Sequence, residues 1–221
     1  MNNNDIEVLE QALDKLKSTG EILFPQAIKS IFNHEVITMQ KNNPEHKKII
    51  SRLEEVAENA TTNAYEDGIM RPRPNEVGND MEPYVKRALK KIGFKAETPR
   101  KRSGGRKSTG YPDIYFEDDK GKPYYLEIKT FNQNNINTKQ RAFYLSLPKK
   151  GEEKINHDAP HILMSFQIET ENRPETPNNK TCYIPVAWKL VSLDSMKLKI
   201  KNEFNASNHE MYQENSILSE G

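Results

Sequence analysis

At 221 residues the chain is long enough for one domain with a substantial buried core and no need of covalent staples. Apolar residues make up 34% and charged residues 29%, mean hydropathy is −0.89, and a net charge of only +1 names no partner. A single cysteine, Cys182, excludes an intrachain disulfide and a cysteine-held zinc cluster. With no apolar leader and no apolar stretch of about 20 residues, the expectation is a soluble cytoplasmic protein with no membrane partner.

The first third reads as helices. Ile6, Leu9, Ala12, Leu13 and Leu16 form a helical stripe over 5–19, with Asn4 or Asp5 to cap it and Gly20 to stop it. Pro25 suits the start of a second helix carrying Ile28, Ile31, Phe32 and Val36. Pro44 suits a third, with Ile49, Ile50, Leu53, Val56, Ala57 and Ala60 on one face as far as Gly68. Arg71-Pro72-Arg73-Pro74 then breaks regular structure. The expected division is a helical N-terminal extension (1–70) acting as scaffold or dimer interface, a core (71–201) and a polar tail (202–221). In the core, a helix over 79–92 (Met81, Val85, Ala88, Leu89, Ile92) stops at Gly93. Candidate strands follow at 94–98, 111–117, 123–131, 142–147, 161–169 and 181–193.

The chemistry concentrates between residues 111 and 130. Two beta-prone runs, Tyr111 to Phe116 and Tyr124 to Thr130, flank a short polar segment, which is a hairpin signal. A loop Asp119-Lys120-Gly121, with Gly121 in the left-handed position, sets Asp118 against Lys122. The same register sets Asp113 against Glu127, with Cα atoms roughly 4.5–5.5 Å apart. Lys129 lies two residues beyond Glu127 and shares its face, while Ile114, Phe116, Leu126 and Ile128 take the other. Like charges opposed across a ladder are unfavourable, and a hard divalent cation such as Mg2+ is the simplest reason to tolerate them. The competing reading is an exposed hairpin face on which Lys129 neutralises one acid.

At these residues the chain resembles the PD-(D/E)XK nuclease superfamily. Pro112-Asp113 matches the first half of the motif, and Glu127-Ile128-Lys129 the second, with thirteen residues between Asp113 and Glu127. A helix precedes the first strand. In it Gly78, Glu82, Leu89, Gly93 and Phe94 match the looser pattern in which a helix glutamate assists the metal site. Asn79 and Glu82 also have the spacing of a capping box, which needs no catalysis, and Glu76 is a further acid at that helix start. Gln140 and Tyr144 fit a four-residue spacing seen in some branches. The resemblance covers 78–145 and implies an α/β fold with a central mixed β-sheet flanked by helices, residues 71–201 forming the nuclease core. It also implies Mg2+-dependent hydrolysis of a phosphodiester, leaving 5′-phosphate and 3′-hydroxyl ends. Asp113, Glu127 and the Ile128 carbonyl would hold the metal and Glu82 would assist. Lys129 would orient or activate water and stabilise charge on the phosphate.

Local charge supplies the partner. Residues 86–107 carry ten Lys/Arg against one acid, Glu97, whereas residues 1–66 carry seven against eleven Asp/Glu. Arg100, Lys101, Arg102, Arg106 and Lys107 lie on a glycine-containing loop one step before Asp113, where phosphate binding is the natural reading. The Asn-rich segment after Lys129 (Asn132, Asn134, Asn135, then Lys139 and Arg141) could read base edges or be a plain polar loop. His157 and His161 receive no role. The reading that joins these parts is a type II restriction endonuclease cutting double-stranded DNA at a short specific sequence, as a homodimer if the target is a palindrome. Its rivals are a structure-selective repair or junction-resolving nuclease of the same fold, a non-catalytic DNA-binding module, and an interaction protein whose hairpin acids are merely solvated.

Overall fold

The computed structural model describes residues 20–132 and 143–199; the helix expected over 5–19 and the tail from 202 lie outside these residues. The chain divides into two compact units, one of Met1–Ile22 with Lys197–Gly221 and the other of Leu23–Met196.

Each described helix begins and ends where local chemistry demands. After β1 (Glu21–Leu23), helix α1 (Phe24–Phe32) starts with Pro25 in its first turn and buries Phe24, Ala27, Ile28 and Phe32. It stops at Asn33, whose left-handed backbone turns its N–H onto the Lys29 carbonyl. Val36 is therefore outside the helix, bridging Ala159 instead. In α2 (Pro44–Asp67) the Asn43 side chain accepts from the Glu45 and His46 amides, and the stripe Ile49, Leu53, Val56, Ala57, Ala60 and Ala64 is buried. It ends at Gly68, where the backbone is left-handed and an added Cβ would meet Cys182 Sγ at 2.8 Å, so only glycine fits. Regular structure breaks at the prolines: β2 (Ile69–Arg71) joins the sheet and ends at Arg71, and a single 3-10 turn follows at Pro74–Glu76. Helix α3 (Val77–Lys91) then opens with Glu76 at its cap and no side-chain capping bond, which places Asn79 inside the helix. A capping box therefore does not explain Glu82.

The remaining strands are β3 (Lys95–Glu97), β4 (Ile114–Glu117), β5 (Pro123–Phe131), β6 (His161–Glu171), β7 (Thr181–Ser192) and β8 (Lys197–Lys199). Residues 143–147, expected in a strand, have no regular structure. β1 and β8 form a separate two-stranded sheet, and the other six strands run in the order β2-β7-β6-β5-β4-β3, antiparallel except for β5 beside β6. This is a mixed sheet flanked by three helices, the α/β architecture implied by the hairpin motif.

The two faces of the sheet differ sharply. Ile114, Phe116, Leu126, Ile128, Met164 and Phe166 pack against α2 and α3 in one apolar core that also takes in Ile49, Leu53 and Val56. Helix α2, read from sequence as part of an extension, thus shares its core with the β4–β5 hairpin. On the opposite face, Tyr125 and His161 are buried with Phe24 and Tyr111, and rings meet at 4.9–5.8 Å. Those rings form an apolar wall beside Glu127.

Candidate active site

The hairpin forms in the expected register. Ile114 faces Leu126, Tyr115 faces Tyr125 and Phe116 faces Tyr124, with the Asp118 amide bonded to the Lys122 carbonyl and Gly121 at φ 74°. Regular pairing begins only at Ile114, and Asp113 just before it uses its side chain: Oδ2 accepts from the Ile128 amide at 2.8 Å. An extended residue sends its N–H and C=O to the same side of the strand, so the Ile128 carbonyl also faces the Asp113 end of β4.

Glu127 is only 4% exposed. Its Oε1 accepts from Lys129 Nζ at 2.5 Å, while Oε2 is buried without a hydrogen-bond partner. Leaving such an atom unmet is costly unless a ligand completes it. Burial pushes the Glu127 carboxyl up to about 7; the Asp113 carboxylate adds to the rise and Lys129 opposes it. Glu82, from α3, also lies near Asp113. Desolvation first and Asp113 second hold its carboxyl above the usual range, while Lys86 at 3.5 Å pulls it back. Lys86 Nζ also donates to Thr98 Oγ1. Glu76 instead lies 3.9 Å from Arg71, which forks onto Asp80.

These atoms offer carboxylate and backbone oxygens of the kind a hard divalent cation takes, and the unmet Glu127 Oε2 is the position it would complete. Among the described residues no three His, Cys, Asp or Glu side chains gather closely enough to hold a metal by themselves. The groups that could hold such a cation are two carboxylates, Asp113 and Glu127, with the Ile128 carbonyl.

The basic loop is more ordered than its composition suggests. Arg100 bridges Arg106, the Lys101 amide bonds the Gly105 carbonyl, and Gly104 and Gly105 take left-handed backbone angles at the tip. Four of its five cations are already paired. Arg100 and Arg106 both hold Glu97, at 3.1 and 2.8 Å, and Lys101 and Lys107 both hold Glu152, at 3.6 and 2.6 Å. Arg102 is exposed and pairs with no acid among the described residues. Asn132 is half-buried at the end of β5; Asn134, Asn135, Lys139, Gln140 and Arg141 lie outside the described residues.

Sequence reading missed Lys154. It sits in a polar loop by composition, yet it is 4% exposed and its Nζ donates to the Thr109 carbonyl at 3.4 Å and to that of Gly110. Burial lowers its ammonium to about 8, against the opposing pull of Asp113, Glu127 and Glu82. His161, given no role from sequence, is a core histidine only 1% exposed. Its Nδ1 and the Tyr111 hydroxyl are 2.5 Å apart, and burial drops its pKa to about 3. A cavity of about 420 Å³ lies at the hairpin-turn end, lined by Arg52, Asp119, Lys120, Lys122 and Glu45 among others. Those five charges pair with one another.

A family model described as the type II restriction enzyme MjaV family matches residues 17–215, and so takes in every element described above. A curated relative, the type II restriction enzyme MjaV of Methanocaldococcus jannaschii, is 38% identical over a 228-position alignment that covers 96% of this chain and 93% of the relative. No helix among the described residues is long and apolar enough to cross a membrane. With a motif-bearing hairpin, a mixed sheet between helices and a match of this extent, the chain belongs to the MjaV family of type II restriction enzymes.

Proposed function

We propose that this restriction enzyme cuts both strands of DNA at the Asp113–Glu127–Lys129 site, with Mg2+ as the metal. The observation that carries the reading is the buried, unpartnered Glu127 Oε2 beside Asp113 on one hairpin face. Asp113 and Glu127, with the Ile128 carbonyl, would hold the ion, which when bound would supply Lewis-acid polarisation of the phosphate and a more acidic water. Lys129 is 31% exposed at its side chain and already in contact with Glu127, so its ammonium is placed to orient the attacking water and to offset charge developing on the phosphate. Glu82, balanced by Lys86, adds negative potential from the helix side. Attack by water on phosphorus with departure of the 3′ oxygen leaves 5′-phosphate and 3′-hydroxyl ends.

Arg102 and the paired cations of the basic loop would position phosphates, and the segment carrying Asn132, Asn134, Asn135, Lys139 and Arg141 would read bases. Two copies of the chain related by a two-fold axis would each cut one strand of a palindromic target. Digesting a plasmid with and without Mg2+, then sequencing the ends, tests the reading. Discrete fragments with a shared end sequence, formed only with the cation, are expected; random breaks or metal-independent cutting would refute it. Sedimentation should give a dimer, and a species of about 25 kDa both free and on cognate duplex would remove the two-site arrangement.

A further inference from the structure

We propose that Lys154 is a positioning residue for cleavage: its buried ammonium holds the carbonyls of Thr109 and Gly110 and so fixes the segment that delivers Asp113. The inference rests on the assignment of Asp113 and Glu127 as the metal-holding pair.

Residues 151–156 brace the loop before Asp113 along its whole length. The Arg102 amide donates to the Glu153 carbonyl at 2.8 Å and the Ser103 amide to that of Gly151 at 3.1 Å. Asn156 Nδ2 donates to the Arg100 carbonyl at 3.0 Å, and Lys107 pairs with Glu152 at 2.6 Å. Lys154 makes the innermost of these contacts and the one nearest the acids, three residues before Asp113. A lysine ammonium withdrawn from water normally costs too much unless its donors and its charge are both met. Here two carbonyls meet two of the three donors, and three carboxylates, Asp113, Glu127 and Glu82, act on the charge. Lys154 is too buried to touch a phosphate, so any influence on the reaction passes through Asp113. The same brace links the cations that would take phosphates to the carboxylate that would take the metal, keeping the two at a fixed spacing.

Lys154→Met keeps the unbranched shape and nearly the volume of the side chain, ends one atom short, and releases both carbonyls. In the full-length protein three quantities decide the matter: Mg2+ affinity by titration calorimetry, duplex affinity in EDTA, and single-turnover cleavage at saturating Mg2+. Loss of a group that orients a metal ligand typically costs about 10–100-fold. Mg2+ affinity and the cleavage rate should each fall within that range, while duplex affinity changes less than about threefold. Mg2+ affinity that is unchanged or tighter overturns the proposal, since removing a nearby positive charge without moving Asp113 would tighten binding. A parallel loss of duplex affinity overturns it as well, in favour of a general packing role. If Lys154→Met does not melt cooperatively, Lys154→Arg and Lys154→Gln replace it. The arginine, retaining charge and donors, should bind Mg2+ more tightly than the glutamine, and equal affinities refute the assignment. Failure of the underlying site reading would show separately, as a wild-type protein that neither binds Mg2+ nor needs it.

Discussion

The hairpin of β4 and β5 and the basic loop of residues 100–107 sit side by side but solve opposite electrostatic problems. On the hairpin Asp113 and Glu127 gather beside Lys129, and one Glu127 oxygen is buried without a hydrogen-bond partner. On the loop nearly every cation is satisfied, with Glu97 and Glu152 each taking two. On the proposed reading the hairpin would be held ready for a cation, whereas the paired cations of the loop would exchange a carboxylate for each phosphate they took. A site short of counter-charge binds its ligand strongly and locally. A neutralised surface binds weakly, and its strength can be tuned by the acids that hold it.

The largest effect should come from breaking the hairpin side. Asp113→Ala or Glu127→Ala should lower Mg2+-dependent cleavage by at least about 10²–10³-fold with duplex binding retained. Full activity in Asp113→Ala would dissolve the site. Lys129→Ala should be similarly impaired in single-turnover cleavage yet still bind Mg2+, and a loss of Mg2+ affinity as large as that of the acid variants would contradict its role. Next is the pH response. Glu127 titrates near 7 in the fold against about 4.5 unfolded, so its stabilising contribution is complete below 4.5 and is lost as pH rises through 7. At about 1.4 kcal/mol per unit the loss is on the order of 3 kcal/mol. Thermal melts in EDTA should show Glu127→Gln gaining on the wild type between pH 5 and 8. Over the same range Mg2+ affinity of the wild type should rise with pH and level off above about 7. A constant gap between the two melting curves would contradict the buried, unmet carboxylate.

The smallest effects lie on the loop, and they sharpen the contrast. Each phosphate contact contributes roughly −0.9 to the slope of log K against log[salt]. Arg102→Ala should flatten that slope by about one unit for cognate and scrambled duplexes alike. Replacing Arg100 and Arg106 together should cost less per residue, because Glu97 already holds both. Glu97→Gln should strengthen binding to both duplexes several-fold by releasing them. If Glu97→Gln weakens binding, the acid orders the loop and does not compete for it.

The two regions also differ in how far the sequence reveals them. The register that directs Asp113 towards Glu127 and the facing of Lys129 follow from a turn type and a two-residue alternation, both local; in the fold that register holds from Ile114 onward, Asp113 reaches the Ile128 amide with its side chain, and Lys129 meets Glu127. Charge counting found the basic loop but not its neutralisation, because Glu152 lies 45 residues from the lysine it holds. Lys154 was invisible for the same reason: a lysine between polar neighbours carries no mark of burial. Of the strand expected at 142–147, residues 143–147 are coil, with Phe143 drawn to the rings of Phe24 and Tyr111. Prolines at 72 and 74 do end regular structure, but the strand just before them, β2, pairs with β7 in the main sheet, a long-range contact no local signal carries. The capping-box alternative for Glu82 could be settled only by seeing where α3 begins.

Helix α2 gives the molecule a property that matters to anyone wishing to reuse its blades. Its stripe of Leu53, Val56, Ala57, Ala60 and Ala64 is fully enclosed and faces the same apolar layer that backs the hairpin. A fragment begun at Arg71 would leave that layer bare to water and invite clumping rather than cutting. The cleavage module is thus not portable at the proline-rich junction its sequence advertises. A graft onto a foreign DNA reader would have to carry the chain from Leu23 onward, the start of the compact unit that holds both the helix and the blades.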